Sequence, residues 1–421
     1  MTQVRVWLVL CATTLVLAVM CGCGGGTEKI LYAVSPGSNN VSIFDVLSTG
    51  ALTVTAEPAG TGTGPVAIGI DPLRRFAYVV DSALGIGPGG VSQYVLDASN
   101  GGLTVATLPA ANGTTTPSVP VPTGANPMAI AIDSTGTFVF IPNHGTPGAS
   151  CDATNTSTAP ALNCTLSVFT IDPNGGALTE VKQQQPPCTP SQLAPCPLPT
   201  YSVGAPNAVA TTGNMLFVAM TNTSAGTGSI ATYTFTPSPT PGQALTLSTC
   251  PGGPGCLQGA PASTIAAGNN PIAMVMNSKG QFLFVIDQVA NTVASFSVGS
   301  SGQLTAVGSP VATGTSPAGL CLDPGGKFLY TANQGSNNVS GFSVDSSGAL
   351  APLSGFPVNV SPGTSPAAIT TDGKGSFLFV ANSGTNNISV FSIDSSGALK
   401  AVANSPFPSV VPSPTGLASL N

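Results

Sequence analysis

An all-β chain, folded as a seven-bladed β-propeller of four-stranded antiparallel blades, is what three features of the sequence predict. The first is a repeat. The stretch that opens at Pro317, PAGLCLDPGGKFLYTANQGSNNVSGFSVDSSGAL, returns almost unchanged from Pro366, 49 residues on. A period of this length marks stacked or radially arranged units. The second is the pattern inside one unit. Four short runs rich in Val, Ile, Phe and Tyr, at Pro317–Leu322, Phe328–Ala332, Val339–Val344 and Ala349–Leu353, are separated by Gly, Asn, Asp and Ser. Such runs read as successive antiparallel hairpins, here strands a, b, c and d. The third is the count. Strand b recurs seven times, at Leu31-Tyr32, Ala77-Tyr78, Val139-Phe140, Leu216-Phe217, Leu283-Phe284, Leu329-Tyr330 and Leu378-Phe379. A four-stranded sheet repeated at this period is a propeller blade.

The N-terminus precedes the repeat. Arg5 stands before the apolar run Val6–Met20, which is too short to span a bilayer and reads as a secretory signal over residues 1–22. With Cys23 after the small Gly22, it resembles a bacterial lipoprotein signal, which implies that Cys23 carries lipid; plain secretion with cleavage nearby is the alternative. Residues 23–29, with Gly24-Gly25-Gly26, then form a tether, and residues 30–421 the propeller. These readings put the protein in the cell envelope, facing the periplasm or the exterior, with membrane contact only through the anchor. Composition fits an exported β protein: 51 glycines and 39 prolines supply turns, 6% of residues are charged, and mean hydropathy is +0.35 without a second long apolar run. A net charge of −6 with no basic stripe excludes nucleic acid as an expected partner.

The two ends of the repeat are out of phase. The chain enters at strand b (Ile30) and ends on a lone strand a, Pro414–Leu420, so the C-terminal strand is expected to complete the first blade and close the ring. Strand a opens with Pro65, Pro127, Pro206, Pro271, Pro317, Pro366 and Pro414. Two places on stand Ala67, Ala129, Ala208, Ala273, Gly319, Ala368 and Gly416. All are small, as innermost strands converging on one axis require. The next position is large and apolar throughout (Ile68, Ile130, Val209, Met274, Leu320, Ile369, Leu417) and suits packing between blades.

The a–b and c–d turns are short, while the long insertions, Ser82–Gly90, Pro109–Asn126, His144–Asn163, Gln183–Gly204 and Ser248–Asn270, fall in b–c or d–a connections. In an up-and-down blade those connections share one face. They cluster on the second to fourth blades, which predicts a raised lid over one sector of that face. Six cysteines lie in or beside the insertions as local pairs. In an oxidising compartment the simplest bridges are Cys151–Cys164, Cys188–Cys196 and Cys250–Cys256, with cross-loop pairings open. A metal site is not expected, because CxxC spacing is absent and the chain has one histidine; nor does any cofactor motif occur. Cys321, on a strand a, reads as a buried small hydrophobe.

Most charges sit in a–b and c–d turns, on the face opposite the lid, where each Asp also bonds its own turn. A separate ring closes strand b on the lid side: Ser35, Asp81, Asn143, Met220, Asp287, Asn333 and Asn382. Two readings stand for its polar members. They cap the following turn, or they form a binding rim at the channel mouth. His144, Asp81 and Asp287 are the candidate catalytic groups, His144 as a base.

Units such as Asp323-Pro-Gly-Gly-Lys-Phe-Leu-Tyr-Thr-Ala-Asn333 and Asp345-Ser-Ser-Gly-Ala-Leu350 resemble those of the lactonase-type, 6-phosphogluconolactonase-like propellers and the related YVTN-repeat proteins. The resemblance implies hydrolysis of a sugar lactone in a lidded channel. Phosphorylated substrates need cations, yet strand a carries no Arg or Lys and Lys182 alone lies near the lid. The reading preferred on this ground is a lipid-anchored, disulfide-bearing module that binds a protein or glycan surface through its lid face. A lactonase-type hydrolase, 6-phosphogluconolactonase-like or acting on a neutral lactone, is the alternative.

Overall fold

The structure is a computed structural model that describes residues 29–55, 57–83, 88–97, 99–109, 115–117, 120–145, 164–181, 205–222, 225–235 and 263–420. Residues 1–28, with the expected signal and Cys23, and most of the insertions expected to form a lid lie outside these residues.

Seven blades, I to VII, follow one another around the ring, each ordered a-b-c-d from the axis outward with antiparallel pairing. In blade VI strand a is Pro317–Leu322, b Phe328–Asn333, c Asn338–Val344 and d Leu350–Pro352. Strand d is split. A second segment, Val358–Asn359, returns to pair with the other end of strand c, and blades I, V and VII repeat the arrangement. In blade II the second segment is Val121–Ala125, and a two-stranded hairpin, Thr107–Pro109 with Thr115–Pro117, precedes it.

Closure follows the out-of-phase ends. Gly416–Leu420 pairs with Lys29–Ser35 from Ile30↔Leu420 to Val34↔Gly416, so blade I is built from both termini. Among the described residues the buried apolar side chains fall into seven clusters, each shared by two neighbouring blades. One of them joins Phe379 and Val390 of blade VII to Leu31 and Phe44 of blade I. The core is therefore a ring of inter-blade layers, and losing one junction would expose two apolar faces.

Strand a shows why its second position after proline is small. A Cβ at Gly319 would stand 3.2 Å from Cα of Ala368 on the next strand a, and one at Gly416 would stand 2.6 Å from Val34 Cγ2. The face of the a–b and c–d turns has its own ties. Where strand b carries tyrosine, the hydroxyl donates to the c–d turn of the next blade: Tyr32 to the Gly101 carbonyl at 2.7 Å, Tyr78 to Gly176 at 2.8 Å, Tyr330 to Gly397 at 2.8 Å. A buried phenol needs such a partner, and burial pushes the pKa of all three upward. The turn aspartates cap as the sequence suggests. Asp323 Oδ1 accepts from the backbone N–H of Lys327 and Phe328, both at 2.6 Å. Cys321 is a buried free thiol, its acidity weakened by desolvation.

Candidate functional site on the loop face

The polar ring at the end of strand b is buried. Ser35, Asn143, Asn333 and Asn382 are 0% exposed, Asp81 2% and Asp287 4%. These side chains stand behind the face and hold it together. Asn382 Nδ2 donates to Asn387 Oδ1 at 2.7 Å and Ser389 Oγ at 2.8 Å; Asn143 Nδ2 donates to Thr165 Oγ1 and Ser167 Oγ, both at 2.9 Å. Asn333 satisfies both ends of its amide when the oxygen accepts from the Gly314 N–H at 3.3 Å and the nitrogen donates to Thr331 Oγ1 at 3.0 Å. Backbone at or just after the end of strand d presses on four ring residues. Cβ atoms built at Gly62, Gly124, Gly268 and Gly363 would lie within 3 Å of Asp81, Asn143, Asp287 and Asn382. Asp287 caps the following turn through the Val289 and Ala290 N–H groups, whereas Asn143 and Asn382 bond side chains of strand c.

The two carboxylates of the ring differ. Asp287 is satisfied by four backbone donors: Asn269 N–H at 2.6 Å to Oδ2, and Asn270, Val289 and Ala290 N–H at 3.0–3.1 Å to Oδ1. Asp81 takes the Ser92 hydroxyl on Oδ2 at 2.7 Å, while its buried Oδ1 has no partner among the described residues. Burial pushes its carboxyl up to about 6, against the lowering effect of the Ser92 and Gly62 donors.

At the junction of blades III and IV, His144 behaves differently. It follows Asn143 at the end of strand b and is part-buried. Its Nδ1 lies 2.7 Å from Oδ1 of Asn207, on strand a of blade IV (Ala205–Thr212). Asn207 Nδ2 donates to Thr221 Oγ1 at 2.8 Å and to the Pro271 carbonyl at 3.0 Å. Thr221 donates to Asn270 Oδ1 at 2.8 Å, and Asn270 Nδ2 to Gln288 Oε1 at 3.3 Å. Because Asn270 N–H also bonds Asp287, one network links His144 to Asp287 across three blades. Asp81, on blade II, is outside it.

Asn207, Thr221 and Asn270 are the residues that reading the sequence missed. One signal was present. The position after the opening proline is Val66, Met128, Ile272, Ala318 and Ala367 in five blades and Thr415 in a sixth, so Asn207 breaks an otherwise largely apolar column. Of the six lid cysteines only Cys164 is described, with Sγ 3.0 Å from the His144 carbonyl oxygen, and the pairing of the six lies outside the described residues. Among the described residues no group of three or more metal-ligating side chains occurs, and no helix is long and apolar enough to cross a membrane. A cavity of about 110 Å³ beside Asp287 is lined mainly by Ala266, Ala267, Val285, Ala294 and Phe296, an apolar wall unsuited to a sugar.

The fold is a seven-bladed propeller of antiparallel blades. Residues 256–358 match the model of the lactonase seven-bladed β-propeller family. Over 94% of the chain, the structure superposes on a periplasmic gluconolactonase of Pseudomonas aeruginosa, with TM-score 0.67, 18% identity and 99% of that chain covered. A candidate 6-phosphogluconolactonase of Bacteroides fragilis gives TM-score 0.67 and 19% identity, covering 94% of this chain and 98% of its own. A protein of Lactobacillus plantarum gives 0.64 and 20%, covering 94% and 99%. At these identities the likeness establishes the fold. No curated protein matches the chain.

Proposed function

We propose that the protein is a lactonase-type hydrolase that opens a neutral sugar lactone on its loop face. The observation that carries this reading is the match of residues 256–358 to the lactonase propeller family, which the whole-chain likeness to a gluconolactonase supports. Charge selects the substrate class. Among the described residues, Arg74, Arg75, Lys279, Lys327 and Lys374 lie in or beside a–b turns on the opposite face, and Lys29 pairs there with Asp372. A phosphorylated lactone would need such cations at the loop face.

His144 is the best-suited base of the three candidates. It is part-exposed, and its ring offers both a donor and an acceptor nitrogen. Asp287 spends its charge on four N–H groups, and Asp81 is enclosed behind Ser92. In the proposed step His144 takes a proton from water, whose oxygen attacks the lactone carbonyl carbon. The ring C–O bond then breaks, and the proton returns to the departing alkoxide to give the open hydroxy acid. The runner-up, a lipid-anchored, disulfide-bearing module for protein or glycan surfaces, is favoured by one observation: the polar ring is consumed in holding loops. Acid release from gluconolactone and its 6-phosphate, followed by pH-stat on purified protein, separates the readings. Turnover of the neutral lactone alone is expected; a flat trace on folded protein would favour recognition.

A further inference from the structure

We infer that Asn207 is a positioning residue that holds neutral His144 as its Nδ1–H tautomer, leaving the basic lone pair on Nε2. Its catalytic meaning rests on the hydrolase reading above; the tautomer itself does not.

The argument is one of donors and acceptors. The Pro271 carbonyl can only accept, so the Asn207 atom 3.0 Å from it must be the NH₂ group. The other end of that amide is then the oxygen, 2.7 Å from His144 Nδ1, and an amide oxygen also only accepts. Nδ1 must therefore carry the hydrogen. The rest of the network agrees in direction: Asn207 donates to Thr221, Thr221 to Asn270, and Asn270 to Gln288. Reversing the amide would set its oxygen against the Pro271 carbonyl and its NH₂ against the imidazole.

The pieces are held firmly. Asn207 is 5% exposed, fixed on strand a between Ala205 and Thr212. Its amide bridges to blade V through Pro271, the first residue of the strand a spanning Pro271–Met276. The imidazole is thus oriented by a buried group that cannot rotate without losing two further hydrogen bonds. A second-sphere partner that fixes which nitrogen is basic decides whether an imidazole can act as a base at all.

The chain contains one histidine, so its ring nitrogens can be read in the full-length protein without assignment ambiguity. The test is ¹⁵N NMR of histidine-labelled protein at a pH where the ring is neutral. The wild type should show a protonated Nδ1 and an unprotonated Nε2. Asn207→Val, which installs the residue found at Val66 of blade II, should move the ring toward Nε2–H. A wild-type spectrum dominated by Nε2–H would overturn the inference and needs no variant. So would an unchanged tautomer in Asn207→Val that melts cooperatively. Should the wild type turn over lactone, Asn207→Val is expected to lower kcat on the order of 100-fold with KM little changed, the low end of what a positioned base contributes. An Nδ1–H spectrum without any turnover would support the tautomer and count against the hydrolase.

Discussion

Four junctions of the ring are tied on the loop face by one device. An asparagine in the b–c turn of each blade, held at positive φ, accepts from the backbone N–H of the residue that precedes the next blade's opening proline. Asn39 takes Gly64 at 2.8 Å, Asn291 Ser316 at 2.6 Å, Asn337 Ser365 at 2.7 Å and Asn386 Ser413 at 2.7 Å. These are the junctions I–II, V–VI, VI–VII and VII–I. The other three, II–III, III–IV and IV–V, follow long stretches that lie mostly outside the described residues, and there the device is missing among the described residues. Between blades III, IV and V the tie is instead the network from His144 through Asn207 and Thr221 to Asn270. The repeated half spends its polar groups on holding backbone. In the inserted half, a group able to move a proton takes over part of that task. Departures from a repeat are thus where chemistry is to be sought.

The comparison can be broken most severely at the closure, which belongs to the regular half. Gly416→Val should destabilise the protein by about 3 kcal/mol, since even a bare Cβ there would lie 2.6 Å from Val34 Cγ2 and 2.9 Å from the Val66 carbonyl oxygen. A drop in melting temperature with earlier proteolysis at both termini would register it. The ring residues give a paired test of charge. The buried Asp81 carboxyl sits at about 6, above its ordinary 3.8, so the folded state prefers its protonated form. Its contribution is fullest below about pH 4 and is lost as pH rises through about 6, at a cost of about 2–3 kcal/mol at pH 7. Asp81→Asn should therefore stabilise by roughly that amount at pH 7 and by nothing at pH 4. Asn382→Asp should do the reverse, because its carboxylate would face Asn387 Oδ1 and Ser389 Oγ. Denaturant melts across that pH range decide both. The smallest effect is expected at a single regular tie: Asn337→Ala should cost about 1 kcal/mol, the net worth of one hydrogen bond, and leave any turnover intact.

Much of this was legible in the sequence, for identifiable reasons. The blade count, the strands and the closing of blade I by Gly416–Leu420 follow from a period and a phase. The small residues of strand a follow from convergence on an axis, and Gly319 against Ala368 shows the contact that enforces it. The split of strand d was not legible, since segments such as Val358–Asn359 are too short to show an alternating pattern. The two readings of Asn333 and Asn382 could not be separated because the backbone packed on them, at Gly314 and Gly363, stands about 20 residues upstream, and only the fold shows Asn382 bonding Asn387 and Ser389 on strand c. The His144–Asn207 contact joins residues 63 apart in different blades, and no local spacing encodes it. The insertions expected to form a lid over blades II to IV fall mostly outside the described residues.

The division of labour between the halves is tested most directly by gluconolactone hydrolysis in two variants measured side by side. Asn337→Ala, in the regular half, should retain the wild-type rate. His144→Gln, which keeps a hydrogen-bond donor toward Asn207 but no titratable nitrogen, should lose at least about 100-fold in kcat. Equal rates in the two variants would contradict the account and leave His144 as one more tie between blades.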